Sequence, residues 1–287
     1  MKKHFKRPLS LLLAILLCIG MLPVSASAAD LTGSMSMIDI KGRDHALSSS
    51  LPAPFGGYAS EKYTMLRITD SSTGTTKTAY CLELGISTYY QEQYQPSADY
   101  PQFSQEQKEL INAVLTLGYN TDTGVKYGGS PEDEYIATQI LVWLIAHKQL
   151  GTQYENQIVS EFTVSSPGAK AVFTKLRKAV MDYRTIPSFA CEDSKHASSH
   201  TYELKYNAQT GRYEVTLTDS NGVLSEFSFS QPGVSFARTG NQLKISSEKT
   251  SFSTVSGEKK LPSSIAGVVK GASRYWLNEH YQNVVTF

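Results

Sequence analysis

The chain has 287 residues, 27 basic against 26 acidic, and a hydrophobic share of 40%, the composition of a globular protein. So even a charge balance carries no electrostatic footprint of nucleic-acid binding. Past the first thirty residues there is no apolar run long enough to span a bilayer.

The opening "MKKHFKRPLSLLLAILLCIGMLPVSASAAD" joins a basic start to an apolar run from Leu9 to Leu22 and then to the small residues Ala26, Ser27 and Ala28. That order predicts a secretory signal peptide over residues 1–29. The apolar core is short for a membrane anchor, and Cys18 follows Leu17 rather than a small residue, which argues against a lipoprotein. Loss of Lys2, Lys3, Lys6 and Arg7 with the leader leaves a mature chain with a net charge of −3. Residues 30–287 suffice for one large domain, secreted or held at the cell surface or cell wall by a region or partner outside this chain.

The first elements are extended. "YTMLRITD" and "KTAYCLELG" alternate on either side of the turn cluster "SSTG", which predicts a hairpin with Cys81 on its second strand. The period then changes. Ser104 with Gln107 forms a capping-box pattern ahead of Leu110, Ile111, Val114, Leu115 and Leu117 at helical spacing. "SPEDEYIATQILVWLIAHKQLG" offers Ser130 as N-cap, Pro131 in the first turn, three acids against the helix dipole and Gly151 as a stop. Ser166 and Pro167 repeat that entry. These signals predict three helices over about residues 104–185. After Pro187 the chain returns to strands and Gly-marked turns. The expected fold is α+β, mainly β: a β-sandwich or barrel-like body with an inserted three-helix subdomain.

Gln139 is the odd residue of the second helix. At about 100° per residue it shares a face with Tyr135, Ile136, Val142, Trp143 and Ala146, so its amide points among apolar side chains. Leaving a buried amide unsatisfied costs about 1–3 kcal/mol, and a hydrogen bond to neighbouring backbone is the ordinary remedy. Export also leaves two cysteines, Cys81 and Cys191, for which one disulfide is the default in an oxidising compartment.

The segments "AYCLELG" at Cys81 and "ATQILVW" at Gln139 resemble the two signatures of the Cys–Gln internal thioester domains of Gram-positive bacterial surface adhesins. Tyr80 and Leu82 flank Cys81 as in that family, and Thr138, Gln139 and Trp143 match its helix motif. Leu141 stands where members often have alanine, about 160° round the helix from Gln139. The resemblance implies an internal Cys81–Gln139 thioester that captures a lysine amine of a host or matrix protein as an isopeptide bond. Such capture is single-turnover binding rather than enzymatic catalysis, and it needs neither cofactor nor metal.

The chemistry fits the odd glutamine. Thiolate attack on the amide carbon expels ammonia, and the amide nitrogen that needed partners is gone. Tyr80, Tyr135 and Trp143 are expected to keep water off a hydrolysable bond. His147 and His280 are candidates for the base, and the Thr138 hydroxyl for an oxyanion donor, although a helical threonine commonly bonds its own preceding turn. Two other readings stay open. One is a non-covalent adhesin or structural module with a Cys81–Cys191 disulfide. The other is a cysteine hydrolase, though "YCLEL" is no nucleophile elbow.

Overall fold

The computed structural model describes residues 32–58, 61–89, 92–193, 200–250, 255–259 and 273–287. The expected leader at 1–29 lies outside the described residues.

Six strands close into an antiparallel barrel: β1 (Gly33–His45), β2 (Glu61–Asp70), β3 (Thr76–Cys81), β4 (Gln93–Ser97) and, far along the chain, β11 (Arg274–Leu277) and β12 (Val284–Thr286). Round the ring the order is β1-β2-β3-β12-β11-β4, with β4 pairing back onto β1. The predicted hairpin is β2 and β3, paired from Leu66 with Ala79 to Thr69 with Thr76. Where β4 returns to β1, Gly33 lies opposite Tyr94. A Cβ at Gly33 would fall 2.6 Å from Trp276 and 2.9 Å from Ile68, so only glycine lets the ring draw in around that indole.

Between β4 and β11 stand four described helices: α1 (Gln105–Leu117), α2 (Pro131–Ala146), α3 (Glu155–Phe162) and α4 (Pro167–Arg184). Sequence signals predicted three. The extra one, α3, has only eight residues, and its N-cap is Tyr154 without a side-chain cap bond, so no start signal marks it. The predicted caps of the first two helices are present: Ser104 and Gln107 form the reciprocal box, and Ser130 accepts from the Asp133 amide. Gln107 does more than cap its own helix. Its Nε2 donates to the carbonyls of Ile145 and Ala146, both at 3.0 Å, and so closes the C-terminus of α2 as well. Gly151 is not the stop of α2. The helix ends at Ala146, and Lys148 takes the left-handed turn at φ 57° three residues earlier.

α2 is the central helix of the molecule. Every residue from Asp133 to Ile145 is buried, which is why its sequence is apolar nearly all round rather than on one stripe. Leu141, expected on a far face, is as buried as Ile140 and Val142. Gly118 lets the end of α1 approach α2, since a Cβ there would sit 2.6 Å from the Thr138 methyl.

The insertion also carries a second β unit that the sequence reading did not separate from the barrel. A four-stranded sheet, β5 (Lys205–Asn207), β6 (Arg212–Thr218), β9 (Gln242–Ser247) and β8 (Val234–Thr239), lies in the order β5-β6-β9-β8. Beside it β7 (Phe227–Ser230) pairs with β10 (Ser256–Lys259). Leu217, Leu224, Leu243 and Ile245 form a core of their own, separate from that of the barrel and helices.

Candidate functional site

Cys81 is the last residue of β3. On one side β12 runs past it, with Val284 opposite and the Leu82 amide donating to the Asn283 carbonyl at 3.0 Å. On the other side β2 has stopped pairing, because the last β2–β3 partners are Leu66 and Ala79. α2 fills the gap. Tyr135 sets its hydroxyl between the strands, accepting from the Leu66 amide and donating to the Ala79 carbonyl, both at 3.0 Å. One helical turn on, Gln139 treats Cys81 as a sheet neighbour would. Its Oε1 accepts from the Cys81 amide at 2.8 Å, and its Nε2 donates to the Cys81 carbonyl at 2.9 Å.

The spacing explains why this works. Four helical residues advance about 6 Å and two strand residues about 6.8 Å, so positions 135 and 139 of a helix laid along a strand match positions 79 and 81. The buried amide of Gln139 is therefore satisfied by backbone, and the backbone belongs to the cysteine itself. The Cys81 N–H already polarises the Gln139 carbonyl and points where negative charge would grow if a nucleophile added to that carbon. Sequence reasoning missed this donor because it is a main-chain group, set by strand register rather than by residue type.

The other candidates are placed as follows. Tyr80 is buried and stacked on Tyr135 with centroids 4.9 Å apart, and its hydroxyl donates to the Tyr119 carbonyl at 2.5 Å. Burial pushes both phenols well above their ordinary range, so both are neutral. Thr138 spends its hydroxyl within the fold, donating to the Glu134 carbonyl at 2.7 Å and accepting from the Tyr119 amide at 3.0 Å. Trp143 stacks on Phe162 at 5.2 Å, and its buried Nε1 has no hydrogen-bond partner among the described residues.

His147 caps the C-terminus of α2, and its Nε2 accepts from the Leu84 amide at 3.2 Å. It thereby pins the loop that follows Cys81. Burial lowers its pKa, with Glu83 opposing, and an accepting Nε2 places the neutral ring's proton on Nδ1. Glu83 fixes the same loop from the other side, accepting from the Asn283 amide at 2.9 Å and from the Tyr100 hydroxyl at 3.2 Å. His280 is exposed in the turn between β11 and β12.

No disulfide joins Cys81 to Cys191. Cys191 belongs with the second β unit, where its sulfur donates to the Ser188 carbonyl and accepts from Asn221. Burial pushes its thiol up. Among the described residues no group of His, Cys, Asp and Glu side chains is arranged to hold a metal ion, and no helix is long and apolar enough to cross a membrane.

The structure thus brings a cysteine at the end of a barrel strand and a glutamine from a buried helix together. A family model described as "TED: Thioester domain" matches residues 78–181, a span that holds Cys81, Gln139 and all four helices but for the last three residues of α4. The thioester domain of the Staphylococcus aureus TIE protein has a similar fold, with a TM-score of 0.50 at 14% identity over 88% of this chain and 92% of that one. No curated protein matches the chain. The family match supports a thioester domain over the span it covers, and the structural match shows a similar fold.

Proposed function

We propose that Cys81 and Gln139 join in an internal thioester, and that this bond captures a lysine amine of a host or matrix protein for an exported surface adhesin. The observation that carries the reading is the pair of hydrogen bonds between the Gln139 amide and the Cys81 backbone. It holds the acyl carbon beside the residue whose sulfur must attack it and supplies an N–H to the developing oxyanion.

In closure the S–Cδ bond forms, the Cδ–Nε2 bond breaks, and the thiol proton leaves with the nitrogen as ammonia. In capture an amine nitrogen bonds to Cδ, the S–Cδ bond breaks, and Cys81 returns to the thiol. Each molecule acts once, so the chain is a covalent binder rather than an enzyme. In this reading the buried, stacked Tyr80 and Tyr135 are apolar packing that limits bulk water near the bond and favours aminolysis by a docked lysine over hydrolysis.

Intact-protein mass spectrometry tests this directly. The purified wild type is expected to weigh one ammonia less than its sequence and to gain one methylamine on treatment, freeing the Cys81 thiol. Cys81→Ala and Gln139→Ala each abolish both effects, whereas Cys191→Ala leaves them intact. A wild type with neither the ammonia deficit nor the Gln-to-Glu product of prior hydrolysis sinks the proposal. A deficit of two hydrogens would instead restore the disulfide.

A further inference from the structure

Cys81 ends β3 at the same end of the barrel where β11 finishes at Leu277, β12 begins at Val284 and β4 begins at Gln93. Two connections cross that end. One leaves Cys81 for β4, and the other is the turn 278–283 between β11 and β12. They are laced together. The Leu82 amide donates to the Asn283 carbonyl at 3.0 Å, the Asn283 amide to Glu83 Oε2 at 2.9 Å, and the Gln282 amide to the Ser87 carbonyl at 3.1 Å. Each connection contributes a tyrosine, and the Tyr89 and Tyr281 rings lie 4.7 Å apart between centroids, tilted by 42°.

This pair is not core. Tyr89 is 54% exposed and Ile86, in the same loop, 45%, so the fold holds an aromatic and an aliphatic side chain in water at the end of the barrel that carries Cys81. Val284 faces Cys81 across the sheet, and Tyr281 precedes it by three residues. That bounds the separation of Tyr281 and Cys81 at about 16 Å, backbone to backbone. The charge of the two connections is one-sided. Residues 82–92 and 278–283 include Glu83, Glu92 and Glu279 but neither lysine nor arginine.

We propose that Tyr89 and Tyr281 are the docking platform for the partner's lysine, seating its side chain at the mouth of the barrel before the amine reaches Gln139. This rests on the thioester reading and names what selects the nucleophile. The ring faces attract an ammonium and give its aliphatic stem an apolar surface to lie on. The carboxylates around them favour a cation over a neutral or anionic side chain. A lysine-bearing segment is the occupant these features fit, since an acidic segment would meet like charge. The platform gathers the charged form, and the amine sheds its proton to water before its nitrogen bonds to Cδ.

Intact-protein mass spectrometry of the exported chain compares two nucleophiles at pH 7: Nα-acetyl-lysine methylamide, a cation, and hydroxylamine, which is uncharged. Tyr89→Leu and Tyr281→Leu are each expected to lower the ratio of the lysine rate to the hydroxylamine rate about 2- to 30-fold. Tyr89→Phe, which keeps a ring face, should retain the ratio. Glu279→Gln should lower it and weaken its dependence on salt. A ratio unmoved in both leucine variants, including rates that fall in parallel, overturns the proposal.

Docking is also read without the bond. In Cys81→Ala, saturation-transfer NMR with the same lysine compound should show contact at its ε-methylene, and adding Tyr89→Leu should remove it. No contact, or contact that survives Tyr89→Leu, overturns the platform. Failure of the thioester is a different result: a parent without ammonia deficit or hydrolysis product that takes up neither nucleophile. The NMR comparison then still decides whether the rings hold a lysine.

Discussion

Tyr135 and Gln139, four residues apart on α2, take over the hydrogen bonding of β3 where β2 leaves it, the first at Ala79 and the second at Cys81. A helix thus stands in for a strand along two residues of sheet. The substitution places the only buried glutamine of that helix on the cysteine.

Tyr135→Phe keeps the ring but orphans the Leu66 amide and the Ala79 carbonyl, both buried. The expected loss is about 2–4 kcal/mol of unfolding free energy, read from urea denaturation. A loss within a few tenths of a kcal/mol would show that the two strands simply close up once the hydroxyl is gone.

The crosslink and the amide grip separate by mutation. Cys81→Ala removes the sulfur and keeps the glutamine amide with both of its backbone bonds, so it reports the crosslink less the Nε2 bond that closure gives up. Closing a loop of this length is worth about 4 kcal/mol. Gln139→Ala loses the bond and also orphans the Cys81 amide and carbonyl, so it should fall below Cys81→Ala by a further 1–3 kcal/mol or so. The comparison is made at pH 7 by reversible denaturation. Two variants of equal stability would mean that water or rearranged strands replace the glutamine at no cost.

Acid sensitivity should trace to His45. The ring lies among Tyr58, Tyr63 and Phe162 with centroids 5.6, 4.5 and 4.9 Å away, and neither nitrogen has a hydrogen-bond partner among the described residues. Burial lowers its pKa to about 4, with Asp44 opposing. The unfolded chain, titrating near 6.5, binds the proton that the folded chain refuses, so stability is full above pH 6.5 and falls as pH drops toward 4. Each unit in that window removes up to about 1.4 kcal/mol. His147, also lowered by burial, adds to the same trend. In His45→Phe the slope of stability against pH between 6.5 and 4 should flatten to the remainder, as measured by urea midpoints across that range. A slope identical to wild type would place the titration elsewhere.

How much of this was legible depends on the range of the signal. The starts of α1 and α2 could be read because Ser104, Gln107, Ser130 and Pro131 act on backbone within four residues of themselves. α3 could not, having no cap to announce it. The end of α2 was misjudged because Lys148 takes the first left-handed turn after it, three residues before Gly151 takes another. Cys81 and Gln139 stood out through their neighbours in the motif, and the burial of Gln139 followed from helical spacing. What the amide does could not be read, since its partner is backbone 58 residues away.

The pairing of β3 with β12 also sets a schedule. Cys81 and Val284 are sheet neighbours, yet about two hundred residues of chain separate them, and the helices and the second β unit are made in between. A chain emerging from its N-terminus can form the β2–β3 hairpin and the helical layer early. The strand bearing Cys81 still lacks one flank until residues 284–286 arrive, and contacts so distant in sequence are the slow ones to form. Completion of the barrel is therefore a late checkpoint. The cysteine gains its final alignment only once residues 284–286 have been made, and a chain cut before them leaves Cys81 on an open edge.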